Sequence, residues 1–299
     1  MTVRMSAYNH EKFVEQAILS IFTQTYQDFE LIVLDDGSSD RTPDILESLS
    51  QKYGFFFKRQ SNQGIAKSYN QLIHMSRGVY ITGCASDDFW PPTRLEQQVA
   101  LLDAKPDVDL VHGRASIVVN GEVRYGDVEG GNPFVNGTNE FRPFLRWKRN
   151  FVTGSKMVRT EVFERIGYYR EDLQIEDFDW WLRATRHLNI HFEDRVWLYY
   201  RRHDGNFIKD PEKASIWCDD YYTVCRELGL RNGLHCFFGG LNVLIQCENT
   251  AGRRRRFAYY VLLPFALVNK RTRRTFERFA KKELRALRNR NRLLRSLTG

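Results

Sequence analysis

Apolar positions along the first half of the chain switch repeatedly between two periods. Residues 2–6 read as a short strand that runs into a polar turn at Tyr8-Asn9-His10. Phe13, Ala17, Ile18, Ile21 and Phe22 then recur at helical spacing. Residues 29–34 form a near-continuous apolar run of strand length, the pattern of a strand buried on both faces. It stops at Asp35-Asp36-Gly37-Ser38-Ser39-Asp40, where Ser39 or Asp40 can cap the next helix and Pro43 fits its first turn. The cycle repeats with a strand at 55–57, a turn at Asn62-Gln63-Gly64, a helix at 65–75 and a strand at 79–84. That strand too ends in acids, Ser86-Asp87-Asp88, before a helix over 93–102 and strands at 108–112 and 117–119. Residues 121–150, rich in Gly, Asn and Pro, read as a long loop. Strand then helix return over 151–167, an acid-led helix over 175–187 and a strand over 196–200.

Strands alternating with helices predict an α/β fold, a mostly parallel central sheet with helices on both faces. In such sheets ligands sit beyond the carboxyl ends of the strands, where both acidic clusters fall. From about residue 212 onward the pattern is helical. The expected division is therefore an α/β domain over 1–210 and a helical region over 211–299.

Charge separates the same two regions. The chain of 299 residues carries +8 overall, but residues 251–299 hold 16 Lys/Arg against Glu277 and Glu283. The tail is thus +14 and the remainder −6. Four arginines at 253–256 precede an apolar run at 257–268, which contains Pro264 and is too short to span a bilayer. Phe276, Phe279, Ala280, Leu284, Leu287, Leu294 and Leu297 then form one apolar stripe opposite basic residues. That suits a helix lying on an anionic membrane surface through residues 253–297. A solvated basic face packed on the catalytic domain is the simpler alternative. No nucleic acid is expected, since no base-stacking module is recognisable. Five cysteines, an odd number with no Cys-x-x-Cys pair, fit a reduced, cytoplasmic compartment.

The acidic clusters carry the candidate chemistry. Adjacent carboxylates repel and resist desolvation, so Asp35-Asp36 is more than a turn requires and suits recognition of base or ribose groups. Asp87-Asp88 at a strand end suits a hard divalent cation shared with phosphate oxygens. Glu176-Asp177-Phe178-Asp179-Trp180-Trp181 sets acids beside indoles that can exclude water, raise a carboxyl pKa and stack on a sugar ring. First-turn acids favoured by the helix dipole account for one of these carboxylates on their own. No P-loop, no dinucleotide-binding glycine motif and no nucleophile elbow is present.

In this order the clusters resemble family 2 glycosyltransferases of the GT-A fold. The resemblance is carried by Ser6-Ala7-Tyr8-Asn9, residues 20–26, residues 29–42, Asn62-Gln63-Gly64-Ile65-Ala66, Ser86-Asp87-Asp88, residues 163–169 and Ile175-Glu176-Asp177. It covers about residues 2–207 and implies an inverting enzyme of the bacterial surface-polysaccharide type. It implies that Ser6, Ala7, Tyr8 and Asn9 line a nucleobase pocket and that Asp36 accepts a hydrogen bond from the base, most often uracil. Asn62 and Gly64 would lie near the ribose, and Asp87 would contact ribose or diphosphate. Asp88 matches the metal-binding acid of the DxD element, although Ala85-Ser86 stand where a full DxD begins. A divalent cation, Mn²⁺ or Mg²⁺, is thereby implied, with His203 of Arg201-Arg202-His203 able to approach it. Asp177 matches the catalytic base, with Glu176, Trp180 and Trp181 on the acceptor side.

The expected activity is transfer from a nucleotide-diphosphate sugar, a UDP-sugar first, to a hydroxyl of a glycan or lipid-linked glycan at the inner face of the plasma membrane. Two rival readings remain: a catalytically inactive, membrane-tethered nucleotide-sugar-binding module, and a nucleotidyltransferase, whose Gly- and Lys-rich phosphate loop is absent here.

Overall fold

The computed structural model describes residues 1–129 and 151–203, with positions 141, 144, 220, 223, 224, 227 and 228. The chain divides into two units, Met1–Asp210 and Pro211–Gly299, and every element below belongs to the first. The basic tail at 253–297 and its apolar run lie outside the described residues, as does most of the expected helical region.

Three strands open the sheet in parallel: β1 (Thr2–Ala7), β2 (Glu30–Asp35) and β3 (Phe56–Arg59). Helices α1 (Val14–Phe22) and α2 (Thr42–Tyr53) connect them. Helix α3 (Ile65–Met75) leads to β4 (Tyr80–Gly83), which returns to the other side of β1. Side-chain alternation explains both faces. Val3, Met5, Ala7, Leu31 and Val33 enter the larger core with Val14, Ala17, Ile18 and Ile21 of α1. Ile32 and Leu34 point the other way and pack on Leu72 of α3. The expected burial of β2 on both faces is therefore observed.

Arg4 interrupts the apolar strand β1, yet the strand is intact and Arg4 is buried. Its guanidinium lies 4.0 Å from the centroid of the Tyr69 ring and donates to the Tyr169 hydroxyl at 3.2 Å. Contact with an aromatic face offsets part of the cost of burying a charge.

The second half departs from the expected parallel order. After α4 (Arg94–Ala104), β5 is one strand over Leu110–Val119, where two short ones were expected. Part of the expected loop at 121–150 is β6 (Glu122–Glu129), antiparallel to β5. Beyond a 3₁₀ turn at Thr153–Ser155, the three-residue β7 (Met157–Arg159) inserts between β4 and β5, antiparallel to both. Helices α5 (Val162–Ile166) and α6 (Glu176–His187) precede β8 (Ile190–Arg202), which pairs in parallel with β5. The sheet order is β3-β2-β1-β4-β7-β5-β6, with β8 also on β5. The sheet is thus mixed, because β6 and β7 run against the other six strands.

One capping expectation also shifts. Helix α2 starts at Thr42 with Arg41 in the cap position. Asp40 instead ties two segments together, accepting from the Thr42 N–H through Oδ1 and the Glu11 N–H through Oδ2. Among the described residues, no helix is long and apolar enough to cross a membrane.

Candidate active site

The first acid centre forms where β1 and β4 end. Asn9 adopts a left-handed backbone (φ 53°) in the turn after β1 and brings His10 back over the sheet edge. The His10 N–H donates to the Thr42 hydroxyl, and its Nδ1 lies 2.7 Å from the Ser86 hydroxyl. Its Nε2 lies 3.9 Å from Asp87 Oδ2, and His203 Nε2 approaches the same oxygen at 3.2 Å. One ligand atom from each of His10, Asp87 and His203 falls within 4.8 Å of the others. Burial pushes the His10 imidazole below its ordinary value, against the Asp87 charge that raises it. Burial also disfavours the Asp87 carboxylate, but the His203 hydrogen bond and the His10 imidazole outweigh it and hold the group below the usual range.

Asp88 points elsewhere. It is 4% exposed, and its Oδ1 accepts the backbone N–H of Arg201 at 2.9 Å. Burial, with the Asp87 charge beside it, pushes its carboxyl well above the ordinary range. A two-way backbone bridge between Phe89 and Tyr199 pins the same turn to β8. Asp88 is the expected metal acid; here the Ala85–Asp88 turn, closed by the Asp88 N–H to the Ala85 carbonyl at 3.1 Å, sets Asp88 against β8 and Asp87 toward the imidazoles.

The second acid centre is the first turn of α6. Asp177 Oδ2 accepts the Thr153 hydroxyl at 2.9 Å, and that hydroxyl accepts the Trp181 indole N–H at 3.0 Å. Burial, with the neighbouring Asp177 charge, pushes the Glu176 carboxyl up to about 8. Lys156 stands by, its ammonium donating to the Thr153 carbonyl at 3.3 Å. Burial and the Arg4 charge lower it to about 7. Burial raises the Tyr69 phenol, and the charges of Glu176 and Asp87 add to that rise.

Residues 2–167 match the family described as glycosyl transferase family 2. The chain belongs to that family. An uncharacterised glycosyltransferase of Methanocaldococcus jannaschii is 28% identical over 240 residues, covering 75% of this chain and 78% of its own length. One from Rickettsia felis is 27% identical over 226 residues, covering 73% of this chain but 37% of its own. In fold, S. aureus TarS 1–349 in complex with UDP-GlcNAc matches with a TM-score of 0.60 and 18% identity, covering 94% of this chain and 91% of that one. The mannosyltransferase PcManGT of Pyrobaculum calidifontis, in complex with GDP-Man and Mn²⁺, gives 0.58 and 19%, with 95% and 80% covered. The fold of this glycosyltransferase is thus GT-A-like.

The residues expected on the donor side, Asp87 apart, lie at or beyond the ends of β1 and β2 and in the turn before α3. Asp36 Oδ1 accepts the Gln63 N–H and the Gln60 side-chain amide, and Oδ2 accepts the Gly64 N–H, each at 3.0 Å. A carboxylate offers about four acceptor positions, so Asp36 chiefly anchors the Asn62–Gly64 turn. That turn is exposed, as are Tyr8 and Asn9, and Ser6 is half-buried. Asn9 is bound to the β2–α2 loop through the Ser38 hydroxyl and the Ser39 N–H. The Ala7 side chain is 0% exposed, and its carbonyl accepts the Asp36 N–H. Its expected place in the pocket lining is corrected to a place in the core.

Trp180 and Trp181 also need correction. They are 0% and 2% exposed, and Trp181 stacks on Phe151 with centroids 3.8 Å apart. Neither indole offers a face to a sugar in this structure, because the apolar stripe of α6 is what buries the helix on the sheet.

The donor set of His10, Asp87 and His203 fits a divalent cation. Two imidazoles and one carboxylate suit Mn²⁺ better than Mg²⁺, which prefers an all-oxygen shell. Three participants escaped sequence reasoning: His10, Thr153 and Lys156. His10 directly follows the recognisable Ser6–Asn9 segment, and only the fold carries it to Asp87. Thr153 and Lys156 lie in the short 3₁₀ turn and its end just before β7, too few residues to leave a periodic signal.

Proposed function

We propose that the protein transfers a sugar from a nucleoside-diphosphate sugar, UDP-linked first, to a hydroxyl of a glycan or lipid-linked glycan, with inversion at the anomeric carbon. The observation that carries this reading is the pair of acid centres, Asp87 between two imidazoles and Asp177 with only Oδ2 engaged by Thr153 among the described residues. TarS in complex with UDP-GlcNAc and PcManGT in complex with GDP-Man and Mn²⁺ support a nucleotide-sugar donor and a cation.

His10, Asp87 and His203 would hold the cation, and Asp88 would brace Asp87 from the β8 side. When bound, a divalent cation supplies neutralising charge for a leaving diphosphate. Exposed Tyr8 offers a ring to the base, and the Asp36-anchored turn offers Asn62 and Gly64 to the ribose. Asp177 acts as general base. It takes the proton of the acceptor hydroxyl as that oxygen forms its bond to the anomeric carbon and the bond to the phosphate oxygen breaks. Glu176 lines the acceptor side. Lys156, when protonated, places positive charge near the Asp177 carboxylate.

The acceptor class and a surface-polysaccharide role rest on the resemblance and on the basic tail. The apolar stripe and +14 charge of that tail favour peripheral attachment to an anionic, cytoplasmic membrane face.

Thermal shift of the full chain with UDP, GDP or dTDP, each with Mn²⁺ or EDTA, tests the donor side. A ligand that binds only the native state raises the melting temperature. A rise with UDP that EDTA abolishes is expected, and no rise with any nucleotide would overturn the donor assignment. Asp177→Asn is expected to abolish transfer and keep the nucleotide-dependent shift. Transfer by the folded variant would remove Asp177 as base.

A further inference from the structure

We propose that Thr153 is the positioning residue of the base, a one-way hydrogen-bond relay from Trp181 that reserves Asp177 Oδ1 for the acceptor's proton. The inference rests on Asp177 being the base and adds which of its oxygens works and what selects it.

The argument is one of donor and acceptor capacity. An indole N–H can only donate, and an ionised carboxylate can only accept. The Thr153 hydroxyl stands between them, 3.0 Å from Trp181 Nε1 and 2.9 Å from Asp177 Oδ2. It has a single proton. With the indole donating into one of its lone pairs, that proton must go to Oδ2. Oδ2 therefore receives a fixed donor, while Oδ1 has no hydrogen-bond partner among the described residues. A proton arriving from an acceptor hydroxyl finds Oδ1 open and Oδ2 already engaged.

The relay is held rigidly on both sides. Trp181 is 2% exposed and lies parallel to Phe151, with 6° between the planes. Thr153 begins the 3₁₀ turn whose Ser155 hydroxyl bonds both the N–H and the C=O of Gly113 on β5. The Thr153 carbonyl also accepts the Lys156 ammonium. A hydroxyl anchored this way cannot rotate freely to satisfy a protonated Oδ2. Positioning of this kind belongs to the turnover step and not to donor affinity.

Two measurements on the full chain test it. The first needs no substrate: ¹H–¹⁵N spectra of the six indole N–H groups, with Trp181 assigned by Trp181→Phe. Asp177→Asn is expected to move the Trp181 resonance, and a Thr153→Val background should abolish that response. An equal response in the Thr153→Val background would overturn the relay. The second is UDP release from UDP-GlcNAc with Mn²⁺, water serving as acceptor. Loss of one hydrogen bond to a charged group predicts a kcat about 10- to 100-fold lower in Thr153→Val at unchanged KM. Thr153→Ser should restore most of it. Full activity in Thr153→Val with a dead Asp177→Asn would sink the relay and leave the base standing. An active Asp177→Asn would sink the base itself. Should Thr153→Val fail to fold, Trp181→Phe removes the donor end and must reproduce the kcat loss.

Discussion

Gly37 is where backbone geometry and the proposed donor pocket meet, and replacing it by alanine separates two costs. Its φ is +82°, in the left-handed region, and a Cβ there would sit 2.8 Å from the backbone nitrogen of Asn62. The left-handed backbone alone costs a non-glycine residue about 1 kcal/mol. The contact adds more, because the clashing atom is backbone and the Asn62–Gly64 turn must move as a piece. That movement loosens the N–H bonds of Gln63 and Gly64 to Asp36. Each is a bond to a charged group worth up to about 1.5–3 kcal/mol, of which water at this exposed turn restores much. A total loss of about 2–3 kcal/mol follows, which lowers Tm by roughly 5–10 °C for a unit of this size. Gly54 provides the control, since it has φ +75° with nothing within 4 Å of its added Cβ. Gly54→Ala should therefore lose only the first term. Urea unfolding of both variants measures the difference, and thermal shift with UDP and Mn²⁺ should shrink in Gly37→Ala alone. If Gly37→Ala loses no more than Gly54→Ala, the turn is not held against Gly37 and the coupling to Asp36 is wrong.

His10→Gln and Asp87→Asn should each weaken Mn²⁺ binding, about 10-fold or more by analogy with lost ligand-shell contacts, whereas Asp88→Asn, which keeps an acceptor for the Arg201 N–H and removes a charge that burial disfavours, should leave Mn²⁺ binding and stability at or above wild type; electron paramagnetic resonance of free Mn²⁺ and urea unfolding distinguish them. Glu176→Gln should change how stability varies with pH. The wild-type carboxyl is raised to about 8 in the fold, so its contribution is complete below about 4.5 and is lost as pH rises toward 8. The variant should match wild type near pH 4.5 and gain on it by about 1–3 kcal/mol by pH 8.5, and parallel urea curves across that range would refute the burial argument. Replacing all four arginines at 253–256 by alanine should cut flotation of the full chain with phosphatidylserine vesicles, and at 0.5 M salt wild type should lose the same binding.

Local pattern was enough for the elements that carry the site. The apolar run of β2 bounded by Asp35-Asp36, and the helical spacing from Phe13 to Phe22, are consequences of side-chain periodicity that any buried strand or amphipathic helix imposes on its own residues. So the sequence by itself determined the α/β alternation, the placing of acids at strand ends and the family. Three things needed the assembled molecule. Strand direction did, because the three residues of β7 encode no orientation and only their pairing with β4 and β5 makes the sheet mixed. The different surroundings of Asp87 and Asp88 did as well: both sit in the Ala85–Asp88 turn, and the bridge from Phe89 to Tyr199 pins that turn so that Asp87 meets His10 and His203 while Asp88 meets β8. Finally, an indole in an amphipathic helix reads the same whether it faces a ligand or a core. Contact with Phe151 and Thr153 buries Trp181 and sets its indole N–H on the Thr153 hydroxyl that bonds Asp177, an outcome set by residues about 30 positions away in the chain.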